Sequence, residues 1–211
     1  PVPLTTTVGS TSYFVSQSDD LTGCESVRAA VVVTIIGQPA QPVASDVSYC
    51  INATTSALSA TALAGHTLQW YGTNSTDGTA SLTAPIPSSL TAGQTTYYVS
   101  QKDNTSGCEG PRAPIQVYVT AQPNAPTGSN ATFCENSSAT PLVAAADPNH
   151  TLIWYDTNST GGTASFNSPV PLTTTVGSTS YYVSQSDDLT GCESVRAAVV
   201  VTIISQPTQP V

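Results

Sequence analysis

The chain contains no methionine, a single lysine (Lys102) and two histidines. Only 8% of its 211 residues are charged, and thirteen acidic side chains face four basic ones, for a formal charge of −9. That balance excludes electrostatic binding to nucleic acid or to an anionic membrane as a main activity. No stretch approaches the 18 consecutive apolar residues of a membrane-spanning helix, and the longest run, Ala29–Ile36, is broken by Thr34, so no direct membrane insertion is expected. Cysteine occurs five times without a CxxC spacing, which argues against zinc. There is no GxSxG nucleophile elbow. Apolar residues nowhere recur at helical spacing, so almost no helix is expected. Ser, Thr, Asn, Gln and Gly supply the polarity that charge does not.

What is present is repetition. Cys24, Cys108 and Cys192 lie 84 residues apart, as do Cys50 and Cys134, Trp70 and Trp154, and His66 and His150. Residues 1–43 return as 169–211 with three changes: Phe14/Tyr182, Gly37/Ser205 and Ala40/Thr208. Alternate copies therefore resemble each other most, as in a tandem array with a two-repeat unit. The chain begins within a repeat and is read as a piece of a longer array.

Pro-containing segments near 38–42, 122–126 and 206–210 punctuate the array. Two prolines three residues apart fix φ and remove donors, so a sheet cannot run through them. This framing gives a C-terminal half-repeat at 1–37 and complete repeats at 41–122 (repeat A) and 125–206 (repeat B). Cysteines at fixed positions in a Lys-poor, strand-rich chain indicate disulfides and an oxidising compartment. Within the frame Cys50 pairs with Cys108 and Cys134 with Cys192, and Cys24 is left unpaired by truncation. The competing register joins Cys24 to Cys50 and Cys108 to Cys134 across the linkers. The first is favoured because a bridge inside a domain stabilises that domain, on the order of 4 kcal/mol for such a loop.

Period-2 runs separated by turn signals predict an all-β sandwich in each repeat. Leu58, Ala60 and Ala62 alternate with polar residues, as do Leu142, Ala144 and Ala146. The strand His66–Thr73 puts Leu68 and Trp70 on one face, and its copy does the same with Leu152 and Trp154; these four are the expected core. Tyr71 and Tyr155 are expected on the outside. A turn follows at 74–80 and 158–164, where glycine supplies positive φ.

Four features admit a functional reading, and a structural one is preferred for each. The recurrent Cys-Glu-x-x-Arg (Glu25/Arg28, Glu109/Arg112, Glu193/Arg196) places an arginine where it can cap loop carbonyls or pair with the glutamate. The stretch from Asp156 to Gly162 spaces oxygen ligands like the start of a calcium loop, but lacks the bidentate Glu, and Gly72 replaces Asp156 in repeat A. The acidic pair Asp19-Asp20, repeated as Asp187-Asp188, is not kept in repeat A, which reads Lys102-Asp103-Asn104. His66 and His150 have no recurring nucleophile beside them. No catalytic, cofactor-binding or metal residue is assigned, no cofactor is expected, and the chain is read as not an enzyme. Seven Asn-x-Ser/Thr sequons occur, at Asn52, Asn74, Asn104, Asn130, Asn136, Asn149 and Asn158.

Cysteine, then a tryptophan strand, then a tyrosine-rich strand resembles an immunoglobulin-like sandwich, except that Cys108 falls past the strand in a turn. More specifically, Trp-Tyr-Asp-Thr-Asn-Ser-Thr-Gly-Gly-Thr, Ser-Tyr-Tyr-Val-Ser-Gln and Gly-Cys-Glu-Ser-x-Arg resemble the immunoglobulin-like repeats of Bacteroidota surface proteins over the whole chain. That resemblance implies export by the type 9 route and an extracellular, cell-surface location. It implies a structural shaft of a long repetitive adhesin or filament in attachment or gliding motility. Its partners would be neighbouring modules, with surface glycans or other cell-surface proteins as further candidates. The alternatives are a noncatalytic spacer or weak glycan-binding module of a secreted polysaccharide-degrading enzyme, and a self-assembling fibre subunit.

Overall fold

The computed structural model describes residues 2–207. Thr208, Gln209 and Pro210, the end of the third Pro-containing segment, lie outside the described residues. The fold is all-β, with no helix among the described residues.

The half-repeat forms one antiparallel hairpin, β1 (Gly9–Val15) and β2 (Ala29–Ile35), in register from Gly9 opposite Ile35 to Val15 opposite Ala29. Repeat A contributes β3 (Val43–Ala44), β4 (Val47–Cys50), β5 (Ala60–Thr61), β6 (His66–Trp70), β7 (Gly93–Asp103) and β8 (Ala113–Thr120). Repeat B contributes β9 (Thr127–Ser129), β10 (Ala131–Cys134), β11 (Val143–Ala145), β12 (His150–Trp154), β13 (Gly177–Asp187) and β14 (Ala197–Ile204). Each complete repeat has a four-stranded sheet, ordered β4-β8-β7-β6 or β10-β14-β13-β12, and a two-stranded one, β3-β5 or β9-β11.

One strand pairing sets where the ends of each repeat lie. β10 runs parallel to β14, with Ala131 opposite Val201 and Cys134 opposite Ile204. The Glu135 amide extends the ladder to the Ile204 carbonyl, and the Ile51 amide reaches the Thr120 carbonyl in the same way, both at 2.8 Å. The first long strand of a repeat therefore ends where the last one ends. Asn52 and Asn136 then turn the chain at φ 62° and 60°, a left-handed conformation that asparagine tolerates better than most residues.

The expected alternation holds for the leucines and tryptophans. Leu58 and Leu142 are buried, Trp70 and Trp154 are 3% and 2% exposed, and Leu152 packs against the core as a partly buried neighbour. Leu68 is likewise half-buried. In repeat B the core is Leu142, Trp154, Val183, Val199, Val201 and Ile203. β14 shows why its sequence reads as a near-continuous apolar run: Val199, Val201 and Ile203 face this core, while the residues between them are half-buried.

Candidate functional site

The turn between the last two long strands is built the same way three times. Asp187 ends β13, and its Oδ1 accepts the Leu189 and Thr190 amides at 3.0 and 2.7 Å and the Thr190 hydroxyl at 2.9 Å. Gly191 follows at φ 71° and closes the turn with its amide on the Asp187 carbonyl at 2.8 Å. The next residue is Cys192. Asp103 and Asp19 organise the turns before Cys108 and Cys24 with the same contacts. The sequence Asp-x-x-Ser/Thr-Gly-Cys is thus a device for presenting a thiol. Both histidines brace it: His66 Nε2 lies 3.5 Å from Asp103 Oδ2, and His150 Nε2 lies 3.7 Å from Asp187 Oδ2.

Hydrogen bonds from the Thr190 amide and hydroxyl hold the Asp187 carboxyl below its usual range, and those from the Ser106 and Thr105 amides do the same for Asp103. A carboxyl with a lowered folded-state pKa adds stability above its unfolded value of about 3.9, and that stability is lost as pH falls through the folded value. The urea midpoint is therefore expected to fall on acidification below about pH 4. Asp187→Asn and Asp103→Asn together should flatten that fall, and an unchanged slope in the double variant would remove these turns from the account.

Cys192 forms a disulfide with Cys50, with 5.5 Å between Cα atoms and 142 residues between them in sequence. Cys24, Cys108 and Cys134 are free thiols. The expected pairs Cys50–Cys108 and Cys134–Cys192 do not form, and neither does Cys24–Cys50 or Cys108–Cys134. The parallel pairing explains why. Cys134 sits at the far end of β14, whereas Cys192 precedes its start, and an eight-residue strand puts roughly 23 Å between those ends. Cys50 and Cys108 stand in the same relation to β8. A bridge within one repeat is out of reach; the bridge runs from the end of β4 in repeat A to the turn of repeat B. In keeping with this, one of the two compact units of the chain takes Ser48–Thr55 and Ser88–Gly93 of repeat A together with the chain from Tyr118 onward.

The residues after each cysteine fasten the turn to the tryptophan strand. Tyr155 donates its hydroxyl to Glu193 Oε1 at 2.7 Å, and Ser184 donates to the same oxygen at 2.5 Å. The Arg196 guanidinium lies 3.3 Å above the Tyr155 ring and donates to the Asn158 carbonyl at 2.6 Å. Repeat A matches this with Tyr71, Glu109, Ser100 and Arg112, the arginine capping the Asn74 and Asp77 carbonyls at 2.6 and 2.9 Å. Burial, with the glutamate contact second, raises the pKa of both tyrosines. The Cys-Glu-x-x-Arg motif is therefore a lock between two loops. Tyr71 and Tyr155, expected outside, are each 7% exposed because the arginine covers the ring and the glutamate takes the hydroxyl.

Asp156 adopts φ 49° where Gly72 adopts 56°. A left-handed turn position accounts for that exchange. Likewise Thr67 donates to Asn104 Oδ1 and Thr151 to Asp188 Oδ1, both at 2.7 Å, so either residue type serves.

One position in each complete repeat is not marked as buried by the sequence pattern. Gln101 and Gln185 are fully buried. Gln185 Oε1 accepts the Asp147 amide at 2.7 Å, and its Nε2 donates to the Asn124 carbonyl at 2.8 Å and to Asp147 Oδ2 at 2.9 Å. Gln101 accepts from the Leu63 amide at 2.7 Å and donates to the Ala40 carbonyl at 2.8 Å. Ala40 and Asn124 lie in the Pro-containing segments, so each glutamine ties the incoming linker to the sheet. The available signal was Val-Ser-Gln recurring unchanged with the glutamine in phase with the buried valine.

The linker into repeat A passes so close that a Cβ on Gly110 would meet the Pro39 carbonyl oxygen at 2.4 Å and that of Ala40 at 2.9 Å. Ser26 and Ser194 occupy this position in the other copies. Gly110→Ser is nevertheless expected to cost about 1–3 kcal/mol by overpacking against backbone. Urea titration measures this, and an unchanged midpoint would mean that the linker yields freely.

Residues 39–120 and 123–204 each match the family described as Ig-like domain, CHU_C associated. The chain belongs to that family. Its two tandem Ig-like domains are about 82 residues each. Among solved structures the Ig-like array is similar to Drosophila N-cadherin EC1-4, at 13% identity and a TM-score of 0.27, over 93% of this chain and 58% of that one. It is similar to Sidekick-1 immunoglobulin domains 1–4 at 13% identity and a TM-score of 0.25, over 93% and 66% of the two chains. A third is a Bacteroides ovatus mixed-linkage glucan utilization locus protein, SGBP-B, in complex with a mixed-linkage heptasaccharide. It shows 16% identity and a TM-score of 0.25 over 75% of this chain and 43% of that one. The Ig-like array thus spans little more than half of the N-cadherin fragment. No curated protein matches it.

Proposed function

We propose that the chain is a length of noncatalytic shaft in a long, repetitive, extracellular bacterial adhesin or filament, serving attachment or gliding motility. The observation that carries this reading is the Cys50–Cys192 disulfide, which bonds one repeat covalently to the next. A domain that needs only its own stability gains most from an internal staple. A staple across the boundary serves continuity of the array. The buried glutamines add to this, because they fasten the linkers rather than the domains' own loops. The disulfide also fits an oxidising, extracellular compartment.

Small-angle scattering on proteins of two, three and four repeats tests the shaft. The maximum dimension is expected to grow by a constant roughly 35–40 Å per added repeat, the length of seven- or eight-residue strands with their loops. Growth as the cube root of mass would overturn the reading and favour a binding site assembled from several repeats.

A further inference from the structure

The hairpin β1–β2 is the same sequence as the β13–β14 hairpin, apart from Phe14/Tyr182 within the strands, yet its core face is open. Val15 is 56% exposed where Val183 is 0%, and Val31 is 49% exposed where Val199 is 0%. In repeat B that face is covered by the Trp154 strand and its neighbours, and the far edge of β14 is paired by β10. The corresponding edge of β2 is unpaired among the described residues.

This open edge leads to a free thiol. Cys108 lines a cavity of about 660 Å³ together with Thr34, Ile35, Ile36 and Gly37, at the end of β2. Ile36 is the counterpart of Thr120, and Cys108 is the counterpart of Cys192. At the completed junction Thr120 and Cys192 line one cavity of about 210 Å³, and the third principal member there is Cys50, at the end of β4. Two of the three parts of a stapled junction are thus already in place around Cys108. The missing part is a strand that ends in cysteine.

We propose that the β2 edge and Cys108 form an acceptor site for a parallel strand ending in cysteine. Its occupant is the segment with the sequence of residues 124–168 from another copy of this two-repeat unit. β10 of that segment would pair with β2 as it pairs with β14, and the segment's Cys134 would bond to Cys108. The near-identity of residues 1–43 with 169–211 selects this occupant, because 124–168 is the stretch that covers the same hairpin in repeat B. Every junction of the array then carries the same staple: Cys50–Cys192 from repeat A to repeat B, and Cys134–Cys108 from repeat B to the next repeat A. The main-chain edge supplies pairing and the buried face supplies affinity, as in other strand-addition sites. The inference rests on the repeat geometry and holds whether or not the array serves as a shaft.

The probe is a synthetic peptide of residues 124–168 carrying glutathione on Cys134 as a mixed disulfide. The Cys108 thiol loses its proton to solvent, and its sulfur attacks Cys134 Sγ. The bond to glutathione breaks, and glutathione leaves as a thiolate that takes up a proton, so no oxidant is needed. The full chain is incubated with the probe, and peptide mapping reads which of the three free thiols is joined to it. Cys108 is expected to react about tenfold faster than Cys24 or Cys134, from the effective concentration that docking confers. It should do so although Cys24 and Cys134 are more exposed. A scrambled peptide bearing the same mixed disulfide should instead favour the exposed thiols. Equal labelling by both peptides, or capture at Cys24 first, would overturn the proposal. Thr34→Pro, which removes an amide at the acceptor edge, should abolish the Cys108 preference. Should that variant disturb the hairpin, the comparison of the two peptides still decides.

Discussion

Trp154→Ala is expected to cost repeat B about 3–5 kcal/mol, as deletion of a large core aromatic generally does. The indole is 2% exposed and is packed with Leu142, Val183, Val199, Val201 and Ile203. Its strand also carries the bridge from Trp154 to Ser165, so the cavity would lie beneath the chain leading out of β12. A domain of this size has about 4–12 kcal/mol of total stability, so the variant should sit near its unfolding threshold at room temperature. The protein offers a convenient internal control. Trp70 becomes the sole tryptophan and reports on repeat A by fluorescence, while circular dichroism reports on both repeats. An early transition seen by dichroism alone is the expected result, and a single unshifted transition by both probes would show that Trp154 is dispensable.

Cys192→Ser is the second large effect. The bridge closes a loop of 142 residues, which the chain-entropy account values at about 5 kcal/mol. Removing native disulfides from small secreted domains costs about 2–5 kcal/mol in practice. The variant should unfold at lower denaturant than the oxidised parent and coincide with the parent in reductant. Cys108→Ser should leave the midpoint of this chain unchanged, because that thiol is free here. Non-reducing peptide mapping gives the direct check: recovery of Cys50 with Cys108 would restore an intra-repeat staple and remove the boundary bridge from the proposed function.

These two effects differ in how far the sequence revealed them. The tryptophans were legible because alternation with Leu68 and Leu152 assigns a strand face without knowledge of its partners. The all-β class, the turns and the structural role of the Cys-Glu-x-x-Arg arginines followed from equally local signals. The cysteine pairing was not local. It depends on whether the first long strand runs parallel or antiparallel to the last, and a four-residue stretch such as Val47–Cys50 carries no mark of its direction in the sheet. Antiparallel placement would bring Cys50 to the Cys108 turn; the parallel placement sends it to the other end. Gln101 and Gln185 were hidden for a different reason. A glutamine in a Ser/Thr/Gln-rich chain looks like surface, and its burial is tolerable only because linker carbonyls and loop amides, distant in sequence, satisfy its amide group. Tyr71 and Tyr155 were misplaced likewise, since the arginine that covers each ring lies about forty residues further on.

The disulfide turns most of the chain into a closed ring, and a ring changes how a polymer responds to pulling. Residues 51–191 lie inside it, so tension applied at the two ends travels along the first fifty residues, crosses one sulfur–sulfur bond and leaves along the last twenty. Even with every strand unravelled, that route extends to about 240 Å, against about 700 Å for the reduced chain. Inside the ring, both tryptophan strands and the whole of β7, β8 and β13 bear no load once the route outside is taut. The domains can melt, slip or refold there while the ends stay tethered at nearly constant separation. Redox state, and not the strength of the sandwiches, then sets the reach of the molecule under force.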